Sequence, residues 1–191
     1  MSARLVLADA STVAEKFGLP SRDALPLAEL AHINKALVRD VSSPIPSTRA
    51  NAVLALVSEV TRCTDALALN LRFDQRDSIW LEPDCNAWGW DFAEFRRSGG
   101  AGGVYAREPV RNPLPKILAD SLTQLRAELP DAESLGELLR RLVGEDWSLN
   151  EFRNYLRSLD PSPHPVYRAR LARSFACAYL EITGSDMAAA L

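Results

Sequence analysis

The sequence predicts an α+β fold, mainly helical, with helices around a small three-stranded antiparallel sheet. Three observations carry this expectation. Apolar residues recur at helical spacing over most of the chain, and two capping boxes open helices in its second half. Between Phe73 and Arg107 the character switches to short aromatic and β-branched segments separated by turn signals. At 191 residues, 47% hydrophobic and 25% charged, the chain has the length and composition of a domain with its own core.

Residues 1–46 hold two short helical candidates, Ser11–Phe17 and Leu25–Val38, the second with Leu27, Leu30, Ile33, Ala36 and Leu37 at helical spacing. Pro44 and Pro46 break the chain. Ser47 or Thr48 then offers a cap for a nearly all-apolar helix through Val53, Leu54, Leu56, Val57 and Val60, which belongs in the core. Another helical turn runs from Asp65 to Leu71. Strand candidates follow at Ile79 and Trp80, at Trp88, Trp90 and Phe92, and at Val104 and Tyr105. The run Ser98-Gly99-Gly100-Ala101-Gly102-Gly103 supplies a hairpin tip, and Pro113 and Pro115 end the sheet.

The remainder reads as helices. Leu118, Leu122, Leu125 and Leu129 form one stripe. Ser134 with Glu137, and Ser148 with Glu151, are the two capping boxes. Their helices present Leu135, Leu138, Leu139 and Leu142, then Phe152, Tyr155, Leu156 and Leu159. Pro161, Pro163 and Pro165 interrupt before a last helix through Leu171, Phe175 and Leu180, which Gly184 ends. The expected division is an N-terminal helical extension or linker over residues 1–46 and a main domain over 47–191.

Charge narrows the function classes. Lys plus Arg number 22 against 25 Asp plus Glu, a net charge of −3, whereas a dedicated nucleic-acid module usually carries a basic excess. Any DNA contact therefore requires a local basic face. Lysine occurs only at Lys16, Lys35 and Lys116, leaving 19 of the 22 basic residues as arginine, the side chain suited to bidentate phosphate binding. Cys63, Cys85 and Cys177 lie far apart with no CxxC pair, so neither a disulfide framework nor a zinc site is implied. The longest apolar run, Ala52 to Val57, is far short of the roughly 20 residues that span a bilayer. The expectation is a soluble, cytoplasmic protein without membrane contact.

No P-loop, dinucleotide fingerprint, HExxH or GxSxG motif occurs. His32 and His164 stand far apart without an acidic cluster and read as surface histidines. Asp84 with Asp91, and Glu145 with Asp146, read as solvated loop carboxylates. The arginines are more informative. Arg62 directly follows the apolar helix and precedes Asp65 by three positions; Arg170 and Arg173, also three apart, share one helix face. Such a pair can grip one phosphate through its guanidinium forks, or form a solvated basic face.

In order and spacing these parts resemble the catalytic domain of tyrosine recombinases of the phage-integrase type, over roughly residues 48–191. TRCTDALALNL matches the family's first arginine, the acid three residues on and the leucine-rich turn, through Arg62, Asp65, Leu67 and Leu69. In RRSGGAGG, Arg96 or Arg97 stands where the family usually has a hairpin lysine. Pro113-Leu114-Pro115 matches its turn into a helix. RLARSFA matches its second box, with Arg170 at the histidine place and Arg173 as the second arginine. EITGSDMAAAL looks like the turn and helix before the third box.

The resemblance implies DNA as partner, possible homo-oligomers on DNA, and neither metal nor cofactor. It implies Arg62, Arg97, Arg170 and Arg173 as the catalytic set, with Arg96 as a further phosphate contact. In the family a tyrosine hydroxyl attacks a DNA phosphodiester, giving a 3′-phosphotyrosyl link, while two arginines stabilise the phosphoryl charge and a lysine or histidine handles protons. Arg62 and Arg173 take the place of that clamp. The departures are Val60 for a glycine, arginine for the hairpin lysine, and arginine for the second-box histidine. Arginine keeps its proton to a pH above about 12, so it is a poor acid catalyst.

The sequence ends at Leu191, before the third box and the nucleophilic tyrosine of the family. Tyr155 shares the apolar stripe of Phe152 and Leu159, and Tyr179 points well away from Arg173 on the expected last helix. The expectation is a recombinase-like domain, truncated or degenerate, that does not cleave DNA alone. The alternative is a non-catalytic helical binding or regulatory module whose arginines form ion pairs.

Overall fold

The protein is described by a computed structural model that covers Leu25 and residues 27–61, 63–73, 79–90 and 110–159. In chain order the elements are α1 (Leu27–Asp40), α2 (Pro46–Thr61), α3 (Asp65–Leu69), β1 (Ile79–Leu81), β2 (Ala87–Trp90), β3 (Val110–Pro113), α4 (Lys116–Glu128), α5 (Leu135–Val143) and α6 (Leu149–Ser158). The chain divides into two units, Leu37–Leu149 and the pair of segments Met1–Ala36 with Asn150–Leu191. The described residues are thus mainly helical with one three-stranded antiparallel sheet of order β1-β2-β3.

Helix α2 is the centre of the Leu37–Leu149 unit. Ala50, Ala52, Val53, Leu54 and Val57 are completely buried, and α2 touches α3, α4 and α5. An apolar surface on all sides has no solvent face to present, so neighbours enclose the helix. Its first residue is Pro46, two or three residues earlier in the chain than a cap at Ser47 or Thr48 implies; proline suits the first helical position because its missing N–H has no intrahelical partner there. Ser43 Oγ accepts from the Ile45 N–H at 3.2 Å, and Arg49 N–H donates to Ile45 O at 3.0 Å, closing the first turn.

Two polar side chains of α2 enter this core with partners. Arg49, 9% exposed, donates from Nη2 to Ser121 O at 3.4 Å and to Gln124 Oε1 at 3.1 Å, and from Nε to Ser121 Oγ at 3.5 Å. Ser121 Oγ in turn donates to Val41 O at 2.9 Å, so one cluster ties the end of α1, the start of α2 and the middle of α4. Glu128 lies 3.9 Å from the Arg49 guanidinium. Asn51 Oδ1 accepts from Trp147 Nε1 at 3.0 Å and joins the loop after α5 to α2. Buried hydrogen bonds to charged groups contribute about 1.5–3 kcal/mol each when fully satisfied.

The segment Leu71–Phe73 is held from two sides. Leu81 N–H donates to Arg72 O at 3.0 Å on the β1 side, while Leu135 N–H donates to Leu71 O at 2.9 Å and Phe73 N–H to Glu133 O at 3.2 Å on the α5 side. The Phe73 ring is buried with the Arg126 guanidinium 4.5 Å from its centroid. Helix α5 opens at the expected N-cap: Ser134 Oγ accepts from Glu137 N–H at 3.2 Å, while the return bond of Glu137 goes one residue further back than in a capping box, Oε2 accepting from Glu133 N–H at 2.9 Å. Gly136 lets α5 approach α3, since a Cβ there would lie 2.7 Å from Leu69 O.

In the sheet, β1 and β2 pair Ile79 with Trp90, Trp80 with Gly89 and Leu81 with Trp88; β2 and β3 pair Ala87 with Pro113 through Trp90 with Val110. The third strand lies at Val110–Pro113 and ends at Pro113, where the sequence ends the sheet; Phe92, Val104 and Tyr105 lie outside the described residues. Pro113 can end β3 because that strand is an edge and needs no donor on its outer side. Trp80 is buried against Gly89: a Cβ on Gly89 would fall 2.0 Å from the Trp80 ring.

Other expectations resolve in the same way. Leu30, Ile33 and Leu37 of α1 are buried, while Ala36 is half-buried. Helix α3 stops at Leu69, two residues short of Leu71, because Asn70 turns out of the helix with its side chain donating to Ala66 O at 3.1 Å. The stripe Leu118, Leu122 and Leu125 is buried in α4, as are Leu135, Leu138 and Leu139 in α5 and Phe152 and Leu156 in α6. Leu129, Leu142 and Tyr155 sit at the margins, half-buried. Ser11–Phe17 and the helix expected through Leu171, Phe175 and Leu180 lie outside the described residues.

Gly89→Ala is expected to lower the unfolding free energy by about 1–3 kcal/mol, because the Trp80 ring has to leave its seat; the urea midpoint followed by far-UV circular dichroism reads it, and an unchanged midpoint contradicts the seat. Ser134→Ala is expected to cost about 1 kcal/mol through loss of the α5 cap. The Glu133 N–H and then Arg141 hold the Glu137 carboxyl below its ordinary value of 4.5. Its ionised form thus favours the folded state at neutral pH, and that contribution fades as pH falls from about 4.5 through the lowered folded value. Glu137→Gln should flatten the acid limb of stability in that window; an identical limb contradicts the assignment.

Candidate phosphate-binding site

The first candidate arginine follows the end of α2. Thr61 Oγ1 donates to Val57 O at 2.7 Å and accepts from Cys63 N–H at 3.4 Å, which closes the helix on its own side chain. Cys63 is buried, with Sγ 3.8 Å from Thr61 O. Thr64 then caps α3, its Oγ1 accepting from Leu67 N–H at 3.3 Å, and Asp65 occupies the first turn, where a carboxylate suits the positive helix end. The sequence places Arg62 in this short connection between two capped helix ends. Arg62 itself lies outside the described residues.

Arg96 and Arg97 belong to residues 91–109, the connection between antiparallel β2 and β3, and they too lie outside the described residues. So do Arg170 and Arg173.

Among the described residues a different arginine stands beside the β2–β3 connection. Arg111, on β3, pairs with Gly89 one register step from the Trp90–Val110 pair that bounds the connection. Its Nε lies 3.4 Å from Glu82 Oε1, and the same oxygen accepts from Trp80 Nε1 at 3.3 Å. Trp80, Gly89 and Arg111 form one lateral row on one face of the sheet, and Glu82 continues that face. The carboxylate is 11% exposed and the Arg111 side chain 61% exposed. Sequence reading missed Arg111 because its position depends on the register with Gly89, which no local pattern encodes.

Several other described arginines have partners within the fold. Arg39 pairs with Asp40 at 2.7 Å, Arg72 with Glu133 at 2.9 Å, and Arg141 with Glu137. Arg126 donates to Pro130 O at 3.1 Å and to Ala132 O. Asp84 is exposed in the β1–β2 hairpin, and the Asn86 backbone N–H, followed by the Asn86 side chain, holds its carboxyl below the ordinary value, opposite to what a general acid needs at neutral pH. Glu145, Asp146 and His32 are exposed. Asp91, His164, Tyr167 and Tyr179 lie outside the described residues.

Among the described residues no group of three or more His, Cys, Asp or Glu side chains is placed to hold a metal ion. Nor is any helix among them long and apolar enough to cross a membrane. The chain matches no protein-family model, no curated protein and no solved structure.

The two described cysteines are both buried. Burial pushes the Cys85 thiol up to about 11, with the nearby Arg126 charge opposing it and Asp84 adding to it. At pH 8 only about one such thiol in a thousand is ionised, and the thiolate is the reactive form. Cys85 should therefore react with a disulfide reagent at pH 8 only after denaturation. Mass mapping of the labelled protein checks this, and rapid native labelling at Cys85 contradicts it.

Proposed function

We propose that the chain is a DNA-binding domain of the tyrosine-recombinase type, in which Arg62, Arg97, Arg170 and Arg173, with Arg96 beside them, contact DNA phosphates. One observation carries this reading: the order of the described elements. An apolar core helix ends directly before Arg62, a capped short helix with Asp65 in its first turn follows, and a three-stranded antiparallel sheet comes next. The β2–β3 connection carries Arg96 and Arg97, and Pro113-Leu114-Pro115 then leads straight into α4. That is the order of parts in the resemblance, from the first arginine to the helix after the sheet.

Binding, rather than strand cleavage by these residues, is the activity this reading assigns. A phosphoryl transfer needs a nucleophile and a proton donor for the leaving oxygen as well as charge stabilisation. Arginine at positions 97 and 170 supplies charge but keeps its proton at neutral pH. Five guanidinium groups on phosphate release counterions and make affinity strongly dependent on salt.

A second reading has its own support. The net charge is −3, and among the described residues Arg39, Arg49, Arg72, Arg111, Lys116 and Arg141 all face a carboxylate within 4 Å. Arginines used in that way suit a helical binding or regulatory module without nucleic acid.

Fluorescence anisotropy with a labelled duplex separates the two. The first reading expects log affinity to fall against log salt with a slope of about −4.5, and the double variant Arg62→Ala, Arg173→Ala to reduce it to about −2.7. Absence of salt-dependent binding in the wild-type chain overturns this reading and leaves the helical module.

A further inference from the structure

We infer that the outward face of helix α6 is a base-reading surface that lies in the major groove of duplex DNA; this rests on the DNA-binding reading above and adds sequence specificity to it. Helix α6, Leu149–Ser158, turns Phe152 and Leu156 into the interior. At about 100° per residue, Asn150, Arg153, Asn154, Arg157 and Ser158 fall within one arc of about 140°. All of them are exposed. Glu151, the one carboxylate in this helix, lies about 90° from the centre of that arc.

The side chains of this face are arranged as a repeat. Arg153 Nη1 donates to Asn150 Oδ1 at 3.2 Å, and four residues on Arg157 Nη1 donates to Asn154 Oδ1 at 3.4 Å. An amide oxygen has two lone pairs, so each asparagine can accept a further bond while its nitrogen donates. Base edges in the major groove call for these two groups: a guanidinium matches O6 and N7 of guanine, and a carboxamide matches N6 and N7 of adenine. The two arginines stand about 6 Å apart along the axis, close to two base steps of about 3.4 Å each. The exposed faces of the other long helices differ. Helix α4 presents Asp120 and Glu128, and α1 has Ala28, Ala31 and Val38 among its exposed residues. The guanidinium groups of Arg39, Arg72, Arg111 and Arg141 face carboxylates instead of amides.

Site selection from a random duplex pool, followed by anisotropy on the selected and scrambled duplexes, tests this. The wild-type chain should enrich a site with two G·C pairs about two steps apart. Exchanging either pair for A·T should weaken wild-type binding about tenfold. Arg153→Ala should lose that discrimination at one of the two pairs and Arg157→Ala at the other, with urea midpoints close to wild type because both side chains are exposed. Salt-dependent binding with no enriched site overturns this inference alone. So does an Arg153→Ala variant that weakens equally on every duplex with a slope shallower by about 0.9, the mark of a phosphate contact. No salt-dependent binding in the wild-type chain overturns the DNA-binding reading and this inference with it.

Discussion

Helix α2 carries apolar residues around its whole circumference, and a helix of that kind reaches its lowest free energy only when other elements enclose it. Much of the architecture of residues 37–149 follows from that requirement. Helices α3, α4 and α5 supply the enclosure, and each brings its own leucine stripe or alanine to the contact. Enclosing α2 also traps Arg49 and Asn51, and both are provided for: Ser121 and Gln124 accept from one, and Trp147 donates to the other. Burial without those partners would leave polar groups stripped of water, a penalty of about 1–3 kcal/mol each. The same bonds therefore select how α4 and the loop after α5 meet α2.

The sheet joins this helical layer through Leu71–Phe73 rather than through a strand of its own. That segment exchanges backbone hydrogen bonds with β1 on one side and with the start of α5 on the other. Its side chains extend the link: Phe73 lies under Arg126 of α4 and Arg72 pairs with Glu133. One face of the sheet then holds a polar row in which Trp80 and Arg111 meet a single carboxylate oxygen of Glu82. Gly89 makes that row possible, because a side chain at its place would occupy the volume of the Trp80 ring.

Local signals in the chain account for the helices well. Periodic leucines mark α4 and α5, and Ser134 with Glu137 marks where α5 begins, because capping depends on residues three apart in sequence. Boundaries set by backbone competition were less legible. Pro46 opens α2 in place of Ser47 or Thr48, and Asn70 ends α3 early with a side-chain bond back to Ala66. Val110–Pro113 carries a proline and only one β-branched residue, so it is pairing with β2 that makes it a strand. The candidate arginines at 62, 96, 97, 170 and 173 came from motif order, whereas the place of Arg111 was invisible to it, since its neighbour Glu82 is contributed by a different strand end.

By itself the sequence determined the class of the fold, the helical character of the core and the capping of α5. These depend on composition and on spacings of three or four residues, which act locally. It also determined that any contact with nucleic acid has to come from a local set of arginines in a chain of net charge −3. Only the tertiary structure decided that Arg49 is a buried bracket between helices while Arg111 is an exposed one on the sheet. Both are arginines in polar surroundings when read along the chain. Their difference arises from which distant groups the fold brings against them: Ser121 and Gln124 in one case, Glu82 in the other.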